Sequence, residues 1–213
     1  ILGALSTGLI GKEPLPKALE SVSIIEHIGD KVPLELVFTN EENKNVTLSD
    51  LVMNDKPTVI QLAYFNCPML CNLVLTGFTN GINKLNKTLL EKVNIITVSI
   101  DPKDTVEHAN QFKQKYLSLT DKKDIDKNWH FLVGQPDQIN KLSSSLGFNY
   151  TYNPDTQQFA HGAVIFFLDS QAQISRYLYG IEFDPFDLKM SILESTKSDK
   201  ISTVERVLLF CYN

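Results

Sequence analysis

The sequence predicts an α/β fold built on a mixed sheet, and three observations carry that prediction. Apolar runs of strand length alternate with stretches of helical periodicity, in the order β-α-β-α-β-α-β-β-α. The runs are rich in β-branched residues, as in Val93-Asn94-Ile95-Ile96-Thr97-Val98-Ser99-Ile100. The last two runs flank a short polar turn, which adds antiparallel strands to the sheet.

Residues 1–23 read as an N-terminal linker or the remnant of a signal or anchor segment. Ile1 to Gly11 is apolar and rich in small residues. It is shorter than the roughly 20 residues that a bilayer span needs. It reads either as the tail of such a segment or as a plain apolar terminus. Residues 24–200 read as the folded domain. It opens with an N-terminal β-hairpin extension, in which 32–38 is a strand, 41–45 a polar turn and 46–48 the return. Ser49 or Asp50 is placed to cap a helix. The run 57–65 is the first core strand, and helical spacing of Leu70, Leu73, Val74, Phe78, Ile82 and Leu85 marks a helix over 69–87.

Strand 93–100 ends in Asp101-Pro102-Lys103-Asp104-Thr105, and a helix follows over 105–118 with Val106, Ala109, Phe112 and Tyr116 on one face. Asp104 or Thr105 is placed to cap it. A charged loop leads to a strand at 129–133, and Pro136 opens a helix that Gly147 stops. Residues 149–161 read as a polar, aromatic loop. Strands over 162–168 and 173–179 form the closing hairpin, and Asp184-Pro185 opens the last helix, through Ser195. Residues 201–213 read as an apolar C-terminal extension whose run at Leu208 to Tyr212 points to a chain that continues.

Composition narrows the function. The 213 residues are 43% hydrophobic and 21% charged with net charge −5, as expected of a globular core. No basic stripe points to nucleic acid. Three cysteines are too few for a disulfide scaffold, and no zinc-type CxxC pair or HExxH occurs. Two of the three, Cys67 and Cys71, stand four apart where the first core strand gives way to a helix. A helix N-terminus favours a thiolate. Helical positions four apart have Cα atoms about 6 Å apart, within the roughly 4.4–6.8 Å that a disulfide spans. The pair suits either a disulfide or a soft metal ion. A bare CxxxC fits two inert core cysteines as well. Pro68 inside the motif and the strand-to-helix junction favour function. A cysteine pair after the first core strand is a thioredoxin-like arrangement, and Asp101 shares its position at a strand's carboxyl end.

The motif Cys67-Pro68-Met69-Leu70-Cys71, the segment Val98 to Thr105, and His161 ahead of a Val-Ile-Phe-Phe-Leu-Asp strand together resemble the Sco/SenC copper-chaperone family. The stretches Trp129 to Leu132, Tyr179 to Phe183 and Val204 to Tyr212 are similar to its bacterial branch. The resemblance implies a thioredoxin-like fold and delivery of copper, or of reducing equivalents, to the dinuclear copper site of cytochrome c oxidase. The implied partner is the oxidase's copper-bearing subunit or another copper chaperone. The implied location is periplasmic or otherwise extracytoplasmic, with a tether to the inner membrane outside this chain. The family's metal ligands fall on Cys67, Cys71 and His161, and its Asp-Pro element on Asp101 and Pro102. Asp101 is a candidate to tune the thiolate charge or to form a docking surface, without a ligand role. Met69 departs from the acidic residue of many relatives.

Two thiolates suit Cu(I), and imidazole suits Cu(I) and Cu(II) alike. Transfer by ligand exchange calls for an open, exposed site. The competing reading is a thiol–disulfide oxidoreductase in which Cys67 and Cys71 reduce a recipient's cysteines through a redox-active disulfide. CxxxC rather than CxxC, and Ala160-His161-Gly162 where such catalysts carry a cis-proline, favour metal. A peroxidase of the same fold lacks its local motif here. His108 reads as a solvated helix face, His130 as structural, and His27 carries no signal. Cys211 reads as a packed apolar residue. Tyr150, Tyr152 and Phe159 either shield the site or pin their loop to the core.

Overall fold

The computed structural model describes residues 22–52, 55–122, 124–196 and 202–212. Most of the reading for residues 1–23 lies outside these. Two central strands, β3 (Thr58–Ala63) and β4 (Asn94–Ser99), are buried at every position, which is why their sequences are mostly apolar and do not alternate. They pair in parallel, and β5 (Trp129–Val133) pairs in parallel with β4. On the other flank β8 (Val164–Leu168) runs antiparallel to β3, and β9 (Ile174–Tyr179) antiparallel to β8. At the far edge β1 (Val37–Asn40) joins β5, and β2 (Asn45–Thr47) joins β1. The seven-stranded order is β2-β1-β5-β4-β3-β8-β9. The N-terminal hairpin is thus one edge of the main sheet, and the closing hairpin the other.

The helices are α1 (Leu48–Val52), α2 (Leu70–Asn83), α3 (Lys87–Leu90), α4 (Val106–Ser118), α5 (Pro136–Ser145), α6 (Pro185–Glu194) and α7 (Thr203–Tyr212). Four differences from the sequence reading have physical causes. The first strand begins at Val37, because Val32 donates its N–H to Ala172 and Leu36 accepts from Leu48, so 32–36 spends its hydrogen bonds elsewhere. The helix expected over 69–87 stops at Asn83, and Asn86 caps a separate short helix by accepting from Leu89 N–H. The loop expected over 149–161 is a hairpin of β6 (Tyr150–Asn153) and β7 (Gln158–His161). Residues 203–212 of the apolar extension, with Cys211 on them, form α7. There Tyr212 donates to Asp187 on α6 at 3.0 Å and accepts from Arg176 on β9 at 3.1 Å.

One close approach fixes α2 beside the loop after β9. A Cβ on Gly77 would stand 1.9 Å from the Ile181 carbonyl oxygen, so only glycine fits there. Among the described residues no helix is long and apolar enough to cross a membrane.

Candidate metal centre

Cys67 lies in the turn between β3 and α2, and Cys71 in the first turn of α2. The helix starts at Leu70, one residue later than expected, and Cys67 lies before its N-cap, so the two sulfurs do not both ride on the helix. Cys67 instead acts on the helix end from outside: its Sγ accepts the Cys71 N–H at 3.3 Å, one of the donors an N-terminal turn leaves unpaired. The loop is pinned on both sides. Cys67 N–H donates to the Tyr64 carbonyl at 3.1 Å, and Asn72 donates its amide to the Cys67 carbonyl at 2.8 Å. Asn72 is itself held by Lys115 and Tyr116 of α4, at 2.7 and 2.9 Å.

His161, ninety residues from Cys71, ends β7 and brings Nε2 to 3.2 Å from the Cys71 sulfur. Its Nδ1 lies 2.9 Å from the Gly162 carbonyl. A carbonyl only accepts, so Nδ1 carries the proton, and Nε2 turns its lone pair toward the sulfur. This orienting contact is the kind that a metal-binding imidazole needs. The rings of Tyr64 and Phe148 stand around the imidazole, at centroid distances of 6.3 and 5.7 Å.

The two sulfurs differ in charge. Cys67 is held well below the usual thiol range. The Cys71 thiol hydrogen-bonded to it is the main cause and works against burial; the Cys71 N–H and the Tyr64 hydroxyl add to it. Cys71 is driven up, first by burial and then by the negative sulfur beside it. Burial and the same sulfur also raise the Tyr64 hydroxyl. Cys67 is thus the sulfur shifted toward thiolate, and Cys71 the one shifted toward thiol.

All three side chains are buried: Cys67 is 6% exposed, Cys71 1% and His161 8%. The open face expected for ligand exchange is therefore absent from this arrangement, because the hydrophobic core packs around both sulfurs. Among the described residues no three His, Cys, Asp or Glu side chains already surround a common metal position. The donor types fit a soft ion all the same: a thiolate, a thiol one proton from becoming one, and an imidazole with its lone pair turned inward.

The carboxylate that reaches the cysteine loop is Asp104. It is buried and accepts from Phe65 N–H at 2.7 Å, Ser99 Oγ at 2.6 Å, Asn66 Nδ2 at 3.3 Å and His108 Nδ1 at 3.0 Å. The cap of α4 falls to Thr105 alone, which accepts from His108 N–H. The His108 ring stands against the Asp104 carboxylate, so it does not belong to a free solvated face. Asp101 accepts from the Lys103 N–H in its own turn and lines a groove with Tyr150, Tyr152 and Phe159. Of those three rings, Tyr150 and Phe159 pack against the core, whereas Tyr152 is exposed. They pack together at 5.0 and 5.8 Å, and Phe159 meets Tyr64 at 5.3 Å, beside the imidazole. His130 lies 3.6 Å from Glu41, and His27 meets the Ser145 carbonyl at 3.0 Å.

A mixed sheet with parallel centre, a cysteine pair after its first core strand and an inward imidazole define a thioredoxin-like thiol protein. The chain belongs to the SCO1/SenC family, whose model matches residues 30–194. No curated protein matches the chain in sequence. Among solved structures it is similar to Arabidopsis thaliana ScoI with copper bound, with a TM-score of 0.60 at 20% identity over 79% of this chain and 97% of that one. A SCO1/SenC family lipoprotein from Bacillus anthracis gives a TM-score of 0.64 at 22% identity over 78% and 94%. BsSco, described with a disulfide switch and as a member of the Sco family of cytochrome c oxidase assembly proteins, gives 0.58 at 22% identity over 80% and 97%. These likenesses establish a shared fold.

Proposed function

We propose that the chain carries copper for the assembly of cytochrome c oxidase, binding one ion through Cys67, Cys71 and His161 and passing it to the oxidase's copper-bearing subunit or to another copper chaperone. The observation that carries this reading is the meeting of Cys71 Sγ and His161 Nε2 at 3.2 Å across ninety residues, with the imidazole lone pair directed at the sulfur. Membership of the SCO1/SenC family and a copper-bound relative of the same fold support it. A lipoprotein relative supports an extracytoplasmic, membrane-tethered location.

The chemistry follows from the donors. Binding draws the proton from Cys71 and releases it to water, leaving two thiolates and a neutral imidazole as a set that favours Cu(I). The burial of all three means that the loop at 66–70 must shift to admit the ion. The test is an anaerobic Cu(I) titration of reduced protein against a competing chelator. One tight equivalent is expected, lost in Cys67→Ser and in His161→Ala. Absence of binding in the unaltered protein would sink the proposal.

A second reading, thiol–disulfide exchange, is favoured by the charge split between the sulfurs: a stabilised Cys67 thiolate beside a protonated Cys71 suits attack and then resolution. A relative with a disulfide switch shares the fold. His161→Ala separates the two readings, since it should remove copper binding and spare disulfide reduction. Equal loss of both would leave no basis for the distinction.

A further inference from the structure

The three proposed ligands are buried, yet the segment that covers them carries a soft donor in full contact with solvent. Met69 lies between the two cysteines, two residues from each, and is 67% exposed. Two residues of chain span at most about 7 Å, which bounds the separation of the Met69 backbone from that of each cysteine. The residues on both sides are tied down, Cys67 through Tyr64 and Asn72, and Leu73 through its N–H to the Met69 carbonyl at 3.1 Å. Met69 therefore projects to solvent from a loop that is hydrogen-bonded on both sides.

Its place in the helix is unusual. Met69 is the N-cap of α2, a position where Ser, Thr, Asp or Asn would satisfy an unpaired N–H, and its side chain makes no capping bond. It gives up a local stabilisation and exposes a large apolar side chain. A thioether is a soft ligand suited to Cu(I), and it binds without losing a proton. By contrast Met190, on α6, is fully buried and serves the core.

We infer that Met69 is the surface ligand through which Cu(I) enters and leaves the buried site, an inference that rests on the copper-carrying role proposed above. Cu(I) arrives on a soft carrier. One carrier–copper bond breaks as the Met69 sulfur–copper bond forms, and the remaining carrier–copper bond breaks as the Cys67 thiolate adds, which frees the carrier. The Cys71 sulfur–copper bond forms as its thiol proton passes to water, and the Met69 bond breaks as His161 completes the site. Copper remains Cu(I) throughout, and no electron moves. Delivery runs the same sequence backwards.

Met69→Leu conserves volume and apolarity, so the fold should survive it. The experiment is stopped-flow transfer of Cu(I) from a coloured bidentate chelator to the reduced protein, beside the equilibrium affinity. Loading should slow by about tenfold or more while affinity stays within about twofold. Loading of Met69→Leu at the unaltered rate would overturn the inference. So would equal losses of rate and affinity, which would make Met69 a resident ligand. A second measurement uses selenomethionine-labelled Cys71→Ser protein, whose X-ray absorption should show a copper–selenium contact. Its absence there would also overturn the inference. If the unaltered protein takes up no Cu(I), the copper-carrying reading itself fails, an outcome distinct from failure at Met69 alone.

Discussion

Asp104 is the residue on which the cysteine loop hangs. A buried carboxylate is costly unless its oxygens are well supplied with donors. Here four donors meet it, from β4, the loop and α4. Asp104→Asn keeps the shape, removes the charge and turns an NH2 group toward donors that need an acceptor. It should lower stability by about 2 kcal/mol, and Ser99→Ala, which deletes a single donor, by about 1 kcal/mol. Urea unfolding at pH 7 checks both, and an unchanged midpoint in Asp104→Asn would show that the carboxylate is dispensable. The sequence offered Asp104 or Thr105 as the cap. Both are short polar residues after a strand, and nothing in the local sequence says which turns outward to cap and which turns inward. Cys67, Cys71 and His161 were legible because their order and spacing fit a known family. Asn72 was not, since its bond to the Cys67 carbonyl depends on α4 packing alongside α2.

At the scale of elements, the weakest join in the sheet is β1 on β5. Only Thr39↔Val133 and Asn40↔Leu132 pair before the chain turns away. Glu41 continues the ladder with its side chain: one carboxylate oxygen accepts the Phe131 N–H at 2.9 Å, the other Lys113 of α4 at 2.5 Å. Burial opposes ionisation of Glu41, but His130, Lys113 and the Phe131 N–H outweigh it and draw the carboxyl down to about 2. A carboxyl depressed in the fold stabilises it above its unfolded value, near 4.5, and that stability is lost as pH falls toward about 2. Glu41→Gln should therefore flatten the stability profile between those values. At pH 7 it should cost about 3 kcal/mol, because Lys113 keeps its charge without a partner. Denaturant titrations from pH 5 to 2 test this, and parallel profiles for both proteins would refute it. The core strands were legible from their apolar, β-branched runs, as in Val59-Ile60 and Ile95-Ile96. The β6–β7 hairpin was not, because its residues are mostly exposed and mark no core-facing stripe.

For the whole molecule, the two fates open to the cysteines should leave different marks on stability. A Cys67–Cys71 disulfide closes a loop of a few residues within one stretch of chain, worth roughly 2 kcal/mol by loop-closure entropy. An ion held by Cys71 and His161 ties α2 to β7 across ninety residues, closing a loop worth about 4–5 kcal/mol on the same scale. Binding to the folded state alone adds stability with concentration, about 4 kcal/mol at a thousandfold excess over the dissociation constant. Reduced protein loaded with one equivalent of Cu(I) should therefore melt several degrees above the disulfide form, and the disulfide form about 4–8 °C above the reduced apoprotein. A strong chelator should return the loaded protein to the apo value. His161→Ala supplies the control, since it leaves the sulfurs in place and removes the long-range tie. In that variant the advantage of copper over the disulfide should vanish. If scanning calorimetry gave the oxidised protein the larger gain in Tm, the disulfide would be the state that this fold stabilises. The cysteine pair would then be better read as a redox couple than as two legs of a metal site.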